Sequence, residues 1–161
     1  MAAGTVVFGY GNPSRGDDAL GPLLLERAEA WLEEQPGLDV TTVGDFQLQI
    51  EHALDLQGRA LALFLDADAA CAPPCALRRA QPNQDASYTT HELSPQAVLM
   101  VYRQVTGQEP PPAFILSVRG EQFELGAPLS PAAERHLEAA WALLRKVLMD
   151  ARAEIWQEQL S

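Results

Sequence analysis

Short apolar runs alternate along this chain with stretches of helical period, and that alternation limits the fold more than any other feature. Thr5-Val-Val-Phe-Gly9, Leu38 to Val43, Leu61-Ala-Leu-Phe-Leu65 and Ala113-Phe-Ile-Leu-Ser-Val118 read as strands. The run Leu61–Leu65 is continuous rather than alternating, the mark of a strand covered on both faces. From Asp18 the period changes. Leu20, Leu23, Leu24, Ala28, Trp31 and Leu32 recur at three- and four-residue steps, which is one helix face. Pro22 fits in the first turn, where its missing N–H costs little, and Pro36-Gly37 stops the helix.

Gln47 to Leu56 predicts a short second helix, ended by Gly58. Ser94-Pro95 and Ser130-Pro131 each offer an N-cap followed by a first-turn proline. They open a helix over Gln96–Val105 and a last helix faced by Leu137, Ala140, Trp141, Leu144, Val147 and Leu148. The tail beyond about Arg152 is expected to fray. Residues 71–90, rich in Pro, Gln, Asn, Ser and Thr, read as one long loop, with room for a short edge strand near Ala76 to Arg79. Such alternation predicts an α/β fold of three layers, αβα, with a mostly parallel twisted sheet and helices on both faces. At 161 residues, 47% of them apolar, the chain is expected to form a single domain over 1–161 with its core in about 5–148.

Charge narrows the partners. Acids outnumber bases 22 to 11, a net charge of −11, which repels phosphate backbones and anionic membranes. No apolar run approaches the roughly 18 residues of a membrane span, and Met-Ala-Ala-Gly-Thr has neither the basic start nor the apolar core of a signal peptide. The expectation is a cytoplasmic protein without nucleic acid or membrane partners. Cys71 and Cys75 flank Ala-Pro-Pro, which is not the two-residue gap of zinc ribbons or thioredoxin-like sites, so they read as ordinary loop thiols.

In an open parallel sheet, ligands bind beyond the carboxyl ends of the strands, where the winding reverses. After the first strand come Asn12, Arg15, Asp17 and Asp18; after the second, Asp45; after the third, Asp66 and Asp68, then His91 across the long loop; after the fourth, Arg119 and Glu121. If the first and third strands are neighbours, Asp18 and Asp66 approach each other. Gly9-x-Gly11-x-x-Ser14 lacks the third glycine of a dinucleotide fingerprint, and no Gly-Lys-Ser/Thr follows. Asp17 and Asp18 at the helix start would repel a phosphate and suit a cation, or they simply stabilise the helix dipole at about 0.3–1 kcal/mol each. Asp66 reads either as a ligand or as a turn residue binding backbone N–H groups. Together, Asp18, Asp66 and His91 form a three-ligand set for a borderline divalent metal with positions left open. His52 and His136 read as surface or packing residues. No Gly-x-Ser-x-Gly elbow or His-Glu-x-x-His motif is present.

The stretch Gly9-Tyr-Gly-Asn-Pro-Ser-Arg-Gly-Asp-Asp-Ala-Leu-Gly-Pro22 resembles the opening motif of the nickel–iron hydrogenase maturation proteases. The resemblance continues through Phe64-Leu-Asp-Ala67, Thr89-Thr-His-Glu-Leu-Ser94 and Val118-Arg-Gly-Glu-Gln-Phe-Glu-Leu-Gly126, spanning roughly residues 5–148. Asp45-Phe-Gln-Leu-Gln-Ile-Glu-His-Ala-Leu-Asp-Leu56 is similar to the subgroup serving soluble, cofactor-reducing hydrogenases. The resemblance implies an aspartic-type endopeptidase that removes a C-terminal extension from the hydrogenase large-subunit precursor after nickel insertion. It implies that Asp18, Asp66 and His91 contact nickel carried by the substrate, with no resident cofactor, and that Asp45 is a further catalytic candidate. The first acid is often glutamate in that family; here Asp18 is one methylene shorter. Phe46-Gln47 stands where relatives carry glycines, so this loop should differ. A monomer is expected, with loop 71–90 a candidate for recognising the large subunit. Two other readings stay open: a non-proteolytic, metal-sensing chaperone for the same subunit, and a nucleotide-binding α/β domain.

Overall fold

The computed structural model describes residues 4–83 and 93–161. Five strands form one sheet: β1 (Thr5–Tyr10), β2 (Val40–Asp45), β3 (Leu61–Asp68), β4 (Cys75–Ala80) and β5 (Ala113–Arg119), in the spatial order β2-β1-β3-β5-β4. The first four in that order run parallel and β4 is antiparallel to β5. The chain leaves β1 toward β2 on one side and later places β3 on its other side. The winding therefore reverses between β1 and β3, and a ligand crevice is expected beyond their carboxyl ends.

Helices cover both faces. On one, α1 (Leu20–Leu32) and α3 (Pro131–Met149) press Leu20, Leu24, Ala28, Leu137, Leu144 and Leu148 onto Val7, Leu63, Leu65 and Leu116, all buried. On the other, α2 (Pro95–Thr106) and a 3₁₀ helix (Ile50–Leu56) bury Val98, Leu99, Ala53 and Leu56 against Phe8, Phe64 and Ile115. Strands β1, β3 and β5 are thus apolar on both faces, as their unbroken hydrophobic runs require. Phe8 stands in register with Phe64, and their rings stack at 4.8 Å. The three-layer α/β architecture with a mostly parallel sheet is as the alternation predicts. Both Ser-Pro starts also behave as expected: Ser94 Oγ accepts from Ala97 N and Ser130 Oγ from Ala133 N.

The short edge strand allowed near Ala76 to Arg79 is present and slightly longer: Cys75–Ala80 pairs along its whole length with β5 at that edge of the sheet. Two expectations need correction. The segment Gln47–Leu56 begins its helix only at Ile50 and winds as 3₁₀. The tail does not fray at Arg152. It forms α4 (Ala153–Gln157), and Trp156 is fully buried against Phe114, its Nε1 donating to the Val147 carbonyl. Ser161 N then donates to the Leu77 carbonyl. A large indole and its one N–H, both accommodated, outweigh the end effects that ordinarily loosen a terminus.

Candidate active site

The loop after β1 is built around a close approach. Gly11 has φ of +149°, and a Cβ there would lie 2.0 Å from the Asp18 carbonyl oxygen, so only glycine fits. Asn12 Oδ1 accepts from Ser14 N, an Asx turn that reverses the chain. Residues Gly16–Ala19 then form one 3₁₀ turn before α1 begins at Leu20. Gly21 lets that helix start press against the strand ends, since a Cβ there would meet the Tyr10 carbonyl at 2.3 Å. Sequence spacing alone suggests that Asp17 and Asp18 sit in the first turn of α1; they belong to the preceding 3₁₀ turn instead, and their side chains part company there.

Asp18 faces a cavity of about 150 Å³ at the reversal point between β1 and β3. Asp66 lines the same cavity, with Tyr10, Gln47, Leu48 and Leu93 among its walls. Asp66 lies inside β3 rather than beyond it, opposite Ser117 of β5. Asp18 Oδ2 accepts from Asn12 N at 2.6 Å, which ties the carboxylate to the Gly11 loop and leaves Oδ1 without a donor among the described residues. Two carboxylates in one small polar cleft suit a divalent cation or the polarisation of a carbonyl or water. His91 lies outside the described residues; Leu93, two positions on, lines the cavity.

Asp45 is not part of this cavity. It ends β2, in register with Tyr10, and lines a neighbouring groove that shares Gly11 and Phe46 with the cavity. Its Oδ1 accepts from Phe46 N, and its Oδ2 lies 3.4 Å from His52 Nε2. His52 is buried, edge-on to Phe8, and its Nδ1 accepts from Gln49 N. That bond leaves Nε2 to carry the proton of a neutral imidazole and aim it at Asp45. Phe46 is 70% exposed, so where the sequence departs from glycines it places a large apolar ring beside both openings.

No sequence-family model matches the chain, and no curated sequence relative does. Solved structures do. The hydrogenase maturating endopeptidase HybD from E. coli superposes with a TM-score of 0.70 at 22% identity, over 92% of this chain and 94% of that one. The [NiFe] hydrogenase maturation protease HycI from Thermococcus kodakarensis gives 0.67 at 21%, over 91% and 93%. The endopeptidase HycI from Escherichia coli gives 0.66 at 18%, over 90% and 91%. The fold is that of the hydrogenase maturation endopeptidases.

Within this hydrogenase maturation endopeptidase fold, the residue that sequence reasoning left undecided is Asp17. It is fully buried. Its Oδ2 accepts from Glu121 N, Gln122 N and Ser130 Oγ, and its Oδ1 from Ser130 N, at 2.7–3.0 Å. Burial pushes its carboxyl upward, but the bonds from Ser130, Glu121 and Gln122 together outweigh that and hold it below the usual aspartate range. Backbone bonds Asp17 N to the Gln122 carbonyl, Gly16 N to that of Ala127 and Gly126 N to that of Ser14 complete the clamp. Asp17 therefore fastens loop 120–130 to the loop that presents Asp18, and it is closed to a cation.

The remaining polar residues at this edge look elsewhere. Arg119 donates from Nη1 to the Cys71 carbonyl, and His136 Nδ1 meets the Arg119 carbonyl at 2.8 Å. Cys71 and Cys75 are free thiols, and burial pushes both pKa values up, aided at Cys71 by Asp68. Among the described residues no helix is long and apolar enough to cross a membrane, and no cluster of three His, Cys, Asp or Glu side chains is arranged for a metal.

Proposed function

We propose that this chain is an endopeptidase that removes the C-terminal extension of the nickel–iron hydrogenase large-subunit precursor after nickel has been inserted. The observation that carries the reading is the convergence of Asp18 and Asp66 on one cavity, at the winding reversal of a fold shared with hydrogenase maturation endopeptidases. In this reading Asp18, Asp66 and His91 contact nickel that arrives held by the substrate, so nickel is part of what is recognised rather than a resident cofactor. Two carboxylates supply hard oxygen donors and an imidazole a borderline nitrogen, which leaves coordination positions for the substrate's own ligands.

The substrate's metal fixes the peptide relative to the carboxylates, and proximity of this kind supplies much of the lowering of a hydrolytic barrier. A carboxylate of the pair then serves as base for the attacking water. Asp45 contributes from the adjoining groove. The protein is proposed to act in the cytoplasm as a single-domain monomer, on partners of the soluble, cofactor-reducing hydrogenase class, which the segment Asp45–Leu56 resembles.

A second reading draws on one observation. The cavity's described lining contains no serine, threonine, cysteine or lysine, so a chaperone that senses nickel without cleaving would need no further group. Intact-mass measurement separates the two. Incubation with nickel-loaded and nickel-free precursor should release a C-terminal peptide from the loaded form only, and Asp18→Ala or His91→Ala should abolish it. Stable binding with no mass change in either form would establish the chaperone.

A further inference from the structure

We infer that the groove beside the Asp18–Asp66 cavity is a binding site for an extended, basic stretch of the protein substrate, held through Glu26, Glu29 and Asp45. The inference rests on the endopeptidase reading and adds to it the chemistry of the residues flanking the cleaved bond.

The groove holds about 330 Å³ and runs between the first turns of α1 and the carboxyl ends of β1 and β2. Its floor is the strand pair of Gly9 and Gly44 with Leu25 packed onto it. Gly9 and Gly44 stand side by side on the two strands, and Leu25 already fills the space above them, its Cδ2 3.2 Å from where a Cβ on Gly44 would be. Pro13 and Pro22 form one apolar end. Strand β2 is also the edge of the sheet, and among the described residues no further strand covers this side.

Charge selects the occupant. Three of the lining residues are acidic and none is basic. Glu26 and Glu29 are exposed and one helical turn apart on α1, on the same side of the groove. Glu29 Oε2 accepts from Thr42 Oγ1, which fixes its direction, and Asp45 is steadied by Phe46 N; Glu26 has no partner among the described residues. An acidic or phosphorylated segment would be repelled by all three, in a chain already at −11. A lysine or arginine in the groove would meet Glu26 and Glu29, which line the same side of it.

Continuity ties the groove to the chemistry. Gly11 and Phe46 line both the groove and the cavity, so a peptide crossing from one to the other passes these two residues. Whichever segment flanks the bond presented to Asp18 and Asp66 therefore enters the acidic groove next.

The test uses the full chain and nickel-loaded large-subunit precursor, with Glu26→Lys/Glu29→Lys as the perturbation, and Glu26→Gln/Glu29→Gln as a second variant in case the reversal disturbs folding. Wild-type protein should cleave or bind precursor carrying lysine or arginine beside the cleaved bond at least tenfold better than precursor carrying glutamate there. The lysine variant should raise KM about tenfold or more with kcat within twofold, and should prefer the glutamate-bearing precursor. An unchanged KM, or equal losses on both precursors, would overturn the groove assignment. Precursor binding, read by calorimetry, keeps the two proposals apart: charge-dependent binding without cleavage upholds the groove and removes the protease, while cleavage indifferent to these charges does the reverse.

Discussion

Asp17→Asn changes one atom of a buried carboxylate and should reveal how firmly the Asp18 loop is held. In the native protein the carboxylate accepts four hydrogen bonds, three through Oδ2 and one through Oδ1. An asparagine can keep its oxygen where three donors converge, but its amide nitrogen then faces Ser130 N, donor against donor. The three surviving bonds also lose their charge assistance, which separates bonds worth about 1.5–3 kcal/mol from those worth about 0.5–1.5. One lost bond, one donor left unsatisfied and three weakened bonds do not add independently, and some relaxation of loop 120–130 is expected. The net loss should be about 3 kcal/mol. For a chain of this size that corresponds to a fall in Tm of roughly 6–12 °C.

The pH dependence makes the argument specific. A carboxyl held below its unfolded pKa stabilises the fold fully above that unfolded value, about 3.8, and the stabilisation is lost as pH falls through the lower folded value. Asparagine does not titrate. Urea denaturation should therefore show wild type and Asp17→Asn separated by about 3 kcal/mol at pH 7, with the gap narrowing as pH falls below about 3.8. A difference under about 1 kcal/mol, or one that stays constant down to the acid transition, would refute the clamp. Because the clamp carries the loop that bears Asp18, the variant should also lower cleavage of nickel-loaded precursor, and Ser130→Ala should reproduce part of both effects.

Asp66→Asn should abolish processing of the precursor while leaving Tm within a few degrees of wild type, measured by intact mass and calorimetry on the same preparation. Trp156→Ala should cost about 3–5 kcal/mol, as a large aromatic deleted from a filled core, visible as a lowered urea midpoint; a near-neutral result would mean that the C-terminal turn does not dock in solution. Alkylation of Cys71 and Cys75 in the folded protein should be slower at pH 7 than that of a free thiol and should rise only above the ordinary cysteine range, because burial disfavours both thiolates; rapid labelling at pH 7 by mass spectrometry would contradict it.

What the sequence made legible follows from where chain-local physics suffices. Continuous apolar runs locate β1, β3 and β5 because strands buried on both faces have no polar side to hide. Ser-Pro pairs locate α2 and α3 because capping is a local bond. The convergence of Asp18 and Asp66 was legible one step further out, since it needs only the β1–β3 adjacency of a winding reversal. Trp156 was not, because nothing local tells an aromatic in a terminal tail that Phe114 and the Val147 carbonyl await it. Strand β4 was only half legible: its partner β5 lies beyond helix α2, and its sequence, Cys-Ala-Leu-Arg-Arg-Ala, sits among residues that favour loops.

The pair Asp17-Asp18 shows why neighbouring residues of one type resist assignment from sequence. As helix-start acids the two are equivalent in sequence. Adjacent residues of a helical turn point roughly 100–120° apart, so in the turn over Gly16–Ala19 the two neighbouring carboxylates meet different surroundings. One turns inward to the N–H groups of Glu121, Gln122 and Ser130 and the other toward the cavity shared with Asp66. The division depends on Gly11 admitting the Asp18 carbonyl so closely that no side chain fits. Gly11→Ala should therefore damage the two acids together: the displaced Asp18 carbonyl shifts the turn, loosening the buried clamp and misdirecting the cavity carboxylate at once. Loss of both stability and precursor cleavage is the expected outcome. A variant that kept its Tm yet lost cleavage would show instead that Asp18 can be moved independently of Asp17, and the coupling drawn between them would fail.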